Sequence, residues 1–209
     1  MDAACWSDYL CPWCYVGQQR DALMASLGVN LVHRPYELHP EIGSGGLTVR
    51  ADGRLRATFD RVEAECRAAG VAFRRPTRMA NTRRALEAAE WVRVHHEEAF
   101  PAVHRGLFAA AFVTGDPLDD AGVVDRVVRA AGAPAEEVRA MVDAGRATAL
   151  VDASMAEARR VGVSSTPTWV FDGGLVVPGA LDPVTVERWV TKVVARHHKA
   201  GDRRPVSGP

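Results

Sequence analysis

The spacing of apolar residues changes character twice along the chain. Residues 3–10 form a short, mostly apolar run, and residues 11–27 a helical segment that opens on Cys11-Pro12. Proline at the first helical position sacrifices no hydrogen bond, because its missing N–H has no helical partner. Gly28 stops that helix and residues 29–36 read as a second strand, completing a strand, helix, strand unit. Residues 43–53 shift to Gly, Ser, Thr and Asp and mark a loop. Beyond it, helical signals cover 54–69, 82–98, 102–113, 119–131 and 134–144, separated by stops such as Gly70 and Gly132-Ala133-Pro134. Val123, Val124, Val127, Val128 and Ala131 place an apolar stripe on one helical face.

A further helix at 147–161 precedes the return of strand signals. Thr168-Trp169-Val170-Phe171 and Leu175-Val176-Val177 flank Asp172-Gly173-Gly174, the signature of a hairpin. Asp182 then caps a last helix with Pro183 at its first position, and Val186, Trp189, Val190, Val193 and Val194 form its buried face. The order β-α-β, helical block, α, β-β-α predicts an α/β protein in which both ends of the chain build one mixed sheet. No internal repeat is present.

Composition narrows the function classes. Of 209 residues, 47% are apolar and 25% charged, enough for a packed core. Twenty-six basic residues balance 26 acidic ones, so neither a nucleic acid nor an anionic membrane is an expected partner. The richest apolar run, 107–113, is far shorter than the roughly 18 residues of a membrane span. Residues 1–9 contain Asp2 and Asp8 and no basic residue, unlike a secretory signal, so the expected location is cytoplasmic. Residues 199–209 hold Gly, Pro and charge and are expected to form a flexible tail.

Four cysteines are too few for a disulfide scaffold, but Cys11 and Cys14 stand three apart at a helix start. That spacing puts both sulfurs on one side of the first turn, within reach of a disulfide. Cys11, beside the cap, gains from free N–H groups and the helix dipole and is expected to be the exposed attacking thiol of lowered pKa. Cys14, one turn in, is the shielded resolving thiol. Pro12 and Trp13 tune the pair without adding charge, and nearby Asp8 opposes ionisation of Cys11. Half a zinc site is the competing reading of the motif, but Cys5 and Cys66 are isolated in sequence, and His95, His96 and His104 fall on helices rich in solvated charge. No metal is therefore expected. Cys5 and Cys66 read as small buried residues, and His39, in Leu38-His39-Pro40, as a loop residue.

The stretch Trp6-Ser7-Asp8-Tyr9-Leu10-Cys11-Pro12-Trp13-Cys14-Tyr15-Val16-Gly17 closely resembles the opening of the DSBA-like thioredoxin-fold oxidoreductases, in particular their FrnE-like cytoplasmic branch. Leu38-His39-Pro40, Asn81-Thr82-Arg83, the segment from Gly162 to Thr168 and Gly179-Ala180 extend the likeness down the chain. It implies a thioredoxin-like fold with a large all-helical insertion: a discontinuous thioredoxin-like domain of residues 1–42 and 147–198, with residues 43–146 inserted. It also implies that Thr166-Pro167 is cis, faces Cys11 and presents the Thr166 backbone to substrate as an added strand would need. Related 2-hydroxychromene-2-carboxylate isomerases and kappa-class glutathione transferases share the fold but commonly carry serine at the position of Cys11. Both cysteines are kept here, and Val177-Pro178-Gly179-Ala180-Leu181-Asp182 departs from their corresponding segment.

The expected activity is thiol–disulfide exchange on a cysteine-containing protein or a small thiol or disulfide, with no bound cofactor and glutathione as a candidate redox partner. The monomer and the homodimer are both open. The alternatives are a glutathione-dependent isomerase or transferase acting on a small hydrophobic compound, and a binding module that has kept the fold.

Overall fold

In the computed structural model, which describes residues 1–50 and 52–201 with side chains to residue 194, the central strand β1 (Asp2–Ser7) is covered on both faces. Such a strand must be apolar on both sides, which is why its residues do not alternate. Ala3 and Cys5 face a cluster with Met24, Val29, Trp169, Val186 and Val190, while Trp6 packs with Ala158 and Val163. The Trp6 indole donates to the Ser154 carbonyl at 3.4 Å, so even this large ring keeps a polar partner.

β1 pairs in parallel with β2 (Asn30–Pro35) and antiparallel with β5 (Thr168–Phe171), which pairs antiparallel with β6 (Leu175–Pro178); the sheet order is β2-β1-β5-β6. The crossover between β1 and β2 is helix α1 (Pro12–Ser26), with Cys11 as its N-cap. The hairpin turn carries Gly173 and Gly174 at φ 88° and 82°, the left-handed conformation that a tight β-turn between twisted strands requires. Helix α8 (Pro183–Gly201) closes the sheet's α1 side, with Asp182 Oδ1 accepting the Thr185 N–H at 2.9 Å. Its described part includes 199–201, the start of the expected tail; 202–209 lie outside the described residues.

Between β2 and β5 run α2 (Arg56–Ala68), α3 (Arg83–His95), α4 (Phe100–Ala109), α5 (Ala121–Ala130), α6 (Ala135–Asp143) and α7 (Thr148–Arg160). Two expectations needed correction. The loop at 43–53 contains β3 (Leu47–Thr48), paired with β4 (Arg78–Met79), a ladder too short to leave a periodic signal. The helix expected at 102–113 widens into a π-turn at Ala110–Thr114, and left-handed Gly115 ends it. The insertion does not pack as a separate body: Tyr9, Cys11, Cys14 and Tyr15 share one apolar cluster with Val62, Leu86, Leu107 and Phe108.

Candidate active site

Cys11 adopts an extended backbone, φ −85° and ψ 112°, and caps α1 with its own sulfur: Sγ accepts the Cys14 N–H at 3.4 Å. Its thiol donates to the Thr166 carbonyl, also at 3.4 Å. The Thr166-Pro167 bond is cis, and the Pro167 carbonyl accepts the Gly179 N–H at 2.8 Å. α1 packs against this segment at Gly17, where a Cβ would stand 3.6 Å from Pro167 Cγ, an ordinary van der Waals contact. The strand-entering proline, the hairpin and the helix start therefore converge on two sulfurs, both free thiols.

The expected exposure of Cys11 is not found: Cys11 and Cys14 are each 3% exposed. Sequence spacing places a side chain on its own helix but cannot register cover brought from elsewhere, here by the insertion's apolar side chains and Thr166. What distinguishes the two thiols is hydrogen bonding. Burial alone raises both, but at Cys11 hydrogen bonding outweighs it, chiefly from the Cys14 thiol and backbone N–H, and the thiol is lowered despite the opposing Asp8 charge. At Cys14 the lowering hydrogen bonds at Asp8 and Thr166 are outweighed, and the thiol is raised well above the usual thiol range by burial, by its hydrogen bond to Cys11 and by the charge on Cys11.

Asp8 is fully buried three residues before Cys11. Burial raises its carboxyl to about 6, although it accepts hydrogen bonds from Thr82 Oγ1 at 2.6 Å, Leu38 N at 2.7 Å and Leu10 N at 3.1 Å. The Asn81-Thr82-Arg83 segment thus acquires roles that its sequence did not disclose. Asn81 donates to the Ile42 carbonyl, Thr82 holds Asp8, and Arg83 joins Glu37, Glu87 and Asp152. Trp13 is uncharged as read, but α2 brings Arg61 to within 5.3 Å of its ring centroid, a cation near the motif that spacing could not reveal. Trp13, Arg61, Glu65, Thr166, Ala180 and Asp182 line a cavity of about 880 Å³ beside the pair. Pro12 occupies the first helical position.

The histidines divide. His39 is a loop residue paired with exposed Glu41, and His96 pairs with Glu137 at 3.1 Å. His104, expected on a solvated face, is instead 6% exposed and accepts or donates a 3.0 Å hydrogen bond with the Tyr9 hydroxyl. Cys66 is buried in α2, its thiol pushed up to about 11 mainly by burial. Among the described residues, the one grouping with metal-ligand proximity is Cys5, Asp21 and His33, which excludes the dithiol. A thiol lowered by hydrogen bonding, beside a second thiol, is suited to nucleophilic attack on a disulfide.

A family model described as DSBA-like thioredoxin domain matches residues 4–190. The fold is similar to that of a probable DsbA oxidoreductase from Streptomyces coelicolor, with a TM-score of 0.81, 26% identity and coverage of 100% of this chain and 94% of that one. It is also similar to a 2-hydroxychromene-2-carboxylate isomerase, at TM-score 0.75, 17% identity and 98% and 100% coverage. The cytosolic disulfide reductase DsbM of Pseudomonas aeruginosa, solved with glutathione, shares the fold at TM-score 0.65, 15% identity and 95% and 100% coverage. No curated protein matches the chain by sequence.

Proposed function

The chain belongs to the family of DSBA-like thioredoxin domains, and from that premise we propose that it is a thiol–disulfide oxidoreductase working through Cys11 and Cys14. The observation that carries this reading is the placement of two free thiols in the first turn of α1, with Cys11 Sγ accepting the Cys14 N–H and lying against the Thr166 carbonyl, each at 3.4 Å; the two thiols are shifted in opposite directions. The Cys11 thiolate attacks a substrate disulfide, forming a mixed disulfide and releasing one substrate thiolate, which takes a proton from solvent. Cys14 gives up its proton and attacks the Cys11 sulfur, releasing the second substrate thiol and leaving a Cys11–Cys14 disulfide. Two electrons pass to the substrate, and two equivalents of a thiol such as glutathione return the pair to its reduced state.

In this reading the Thr166 backbone and Pro167 bind the substrate chain, Pro12 and Trp13 tune the pair, and residues 43–146 cover the site. The reaction belongs in the cytoplasm, as in the FrnE-like branch, in line with the cytosolic reductase that shares the fold. The charge acting on Cys11 is the negative one of Asp8, which disfavours the thiolate and so favours a mildly rather than strongly oxidising couple. The experiment is turnover of a glutathione mixed disulfide by the wild type and both serine variants. Cys11→Ser should abolish turnover and Cys14→Ser should trap a mixed disulfide; full turnover by Cys11→Ser refutes the proposal.

The cavity of about 880 Å³ supports a second reading, a glutathione-dependent isomerase or transferase in which the reacting thiol belongs to glutathione. Saturable glutathione binding, with isomerase or transferase turnover unaffected by Cys14→Ser, would select it.

A further inference from the structure

On the sheet face covered by α1 and α8, three side chains of different chemistry meet. Cys5 and His33 are partners in the parallel β1–β2 ladder, and α1 brings Asp21 over them. One ligand atom from each, the Cys5 Sγ, an Asp21 carboxylate oxygen and a His33 ring nitrogen, lies within 4.8 Å of the other two. Cys5 is 2% exposed, and the Nδ1 atom of His33 is buried without a hydrogen-bond partner. Asp21 is already oriented, because the Trp169 indole donates to its Oδ1 at 2.8 Å, as outer hydrogen bonds orient metal-binding carboxylates. His33 in turn stacks on His104 with centroids 4.2 Å apart.

We propose that Cys5, Asp21 and His33 form a zinc site with three protein ligands and a fourth position left for water. One thiolate and one carboxylate balance the two positive charges, and neutral imidazole supplies the nitrogen, so the cluster, with Cys5 buried and Asp21 and His33 partly buried, is uncharged as a whole. A sulfur, nitrogen and oxygen donor set suits zinc and not the all-oxygen preference of magnesium or calcium. Donor atoms in tetrahedral zinc sites stand about 3.3–3.6 Å apart, so from separations within 4.8 Å the three side chains close by at most about 1.5 Å on binding. A cavity of about 740 Å³, lined in part by Asp21, Val32, His33, Phe100 and His104, reaches two of the ligands and supplies the path of entry. Burial favours the metal-free site's uncharged forms, holding the Cys5 thiol high, raising Asp21 to about 7 and lowering His33 to about 4. Once bound, the ion ties β1, β2 and α1 together and keeps Cys5 from exchanging with the dithiol.

The test is cobalt(II) titration of the reduced, chelator-stripped full chain in a Cys11→Ser/Cys14→Ser background, which removes the competing thiol pair. One cobalt per chain with a sulfur-to-cobalt charge-transfer band, displaced by zinc, is expected. Cys5→Ser should lose the band. Asp21→Asn, whose amide oxygen can still accept the Trp169 hydrogen, and His33→Gln should each weaken binding at least tenfold. Circular dichroism without metal reports the folding of each variant, and Asp21→Asn carries the comparison if Cys5→Ser does not fold. A background protein without the band, a band that survives Cys5→Ser, or unchanged affinity in both other variants overturns the proposal. Because both dithiol sulfurs are gone, the result is independent of whether that pair exchanges.

Discussion

The Thr82 hydroxyl donates a 2.6 Å hydrogen bond to Asp8 Oδ1, joining the loop that ends at Cys11 to a residue 74 positions later. Thr82 is also the N-cap residue of α3, where a hydroxyl ordinarily serves the helix's own free N–H groups, yet it makes no capping bond. Its hydrogen is committed to the dithiol loop. Thr82→Val keeps the shape and removes the donor, leaving a buried carboxyl with two backbone donors. We expect a loss of about 1–3 kcal/mol in urea unfolding; an unchanged midpoint would show that the contact contributes nothing.

Asp8 gives stability a defined pH dependence. Its carboxyl titrates near 6 in the folded chain, raised by burial, against an ordinary value of 3.8. The folded state therefore binds more protons than the unfolded state between those values, and the Asp8 contribution to stability falls as pH rises from about 4 to above 6. The full difference is about 3 kcal/mol at 1.36 kcal/mol per pH unit. Buried His33 acts in the opposite sense, since it is held neutral down to about 4, so the measurement must be the difference between wild type and Asp8→Asn. That difference should change through pH 4–6 and level off above it. A flat difference across the window contradicts the assignment.

The same substitution reaches the chemistry. Removing the negative charge that opposes Cys11 ionisation should lower the Cys11 titration midpoint and stabilise the reduced pair. In equilibrium with glutathione, the Asp8→Asn couple should become about three- to tenfold easier to reduce, roughly 15–30 mV more oxidising. A shift towards more reducing potentials would mean that Asp8 acts through hydrogen bonding alone.

Gly106 offers a test of the insertion's packing. A Cβ at this position of α4 would stand 2.7 Å from Val127 Cγ1 on α5, too close for ordinary contact. In an exposed helix Gly→Ala stabilises by about 1 kcal/mol, but here overpacking should reverse the sign and cost about 1–3 kcal/mol. Val127→Ala should restore most of that loss in a double-mutant cycle. Additive effects of the two substitutions would show that the helices do not meet there.

The elements that sequence disclosed are those with local causes. Pro12 at a helix start, left-handed Gly28 at its end and the Asp172-Gly173-Gly174 turn each constrain their own backbone, and each marks an element the structure contains. What remained hidden depends on register and long-range packing. The meeting of Cys5 with His33 follows from the β1–β2 pairing, and the burial of His104 from the docking of α4 beside Tyr9. The spacing of Cys11 and Cys14 located the candidate centre but not its depth, because what covers it arrives largely from residues beyond 43. Arg61 over Trp13 and Thr82 on Asp8 belong to the same class of contact.

The depth of Cys11, a residue 3% exposed within an apolar cluster, has a kinetic consequence. Under the exchange proposed for Cys11, a partner would have to wait for the cover to part, and reaction would proceed as amide exchange does, through a rare open state. At low partner concentration the rate follows the open population multiplied by intrinsic reactivity. At high concentration it meets a ceiling set by the opening frequency itself, and chemically unrelated disulfides should then converge on one common maximal rate.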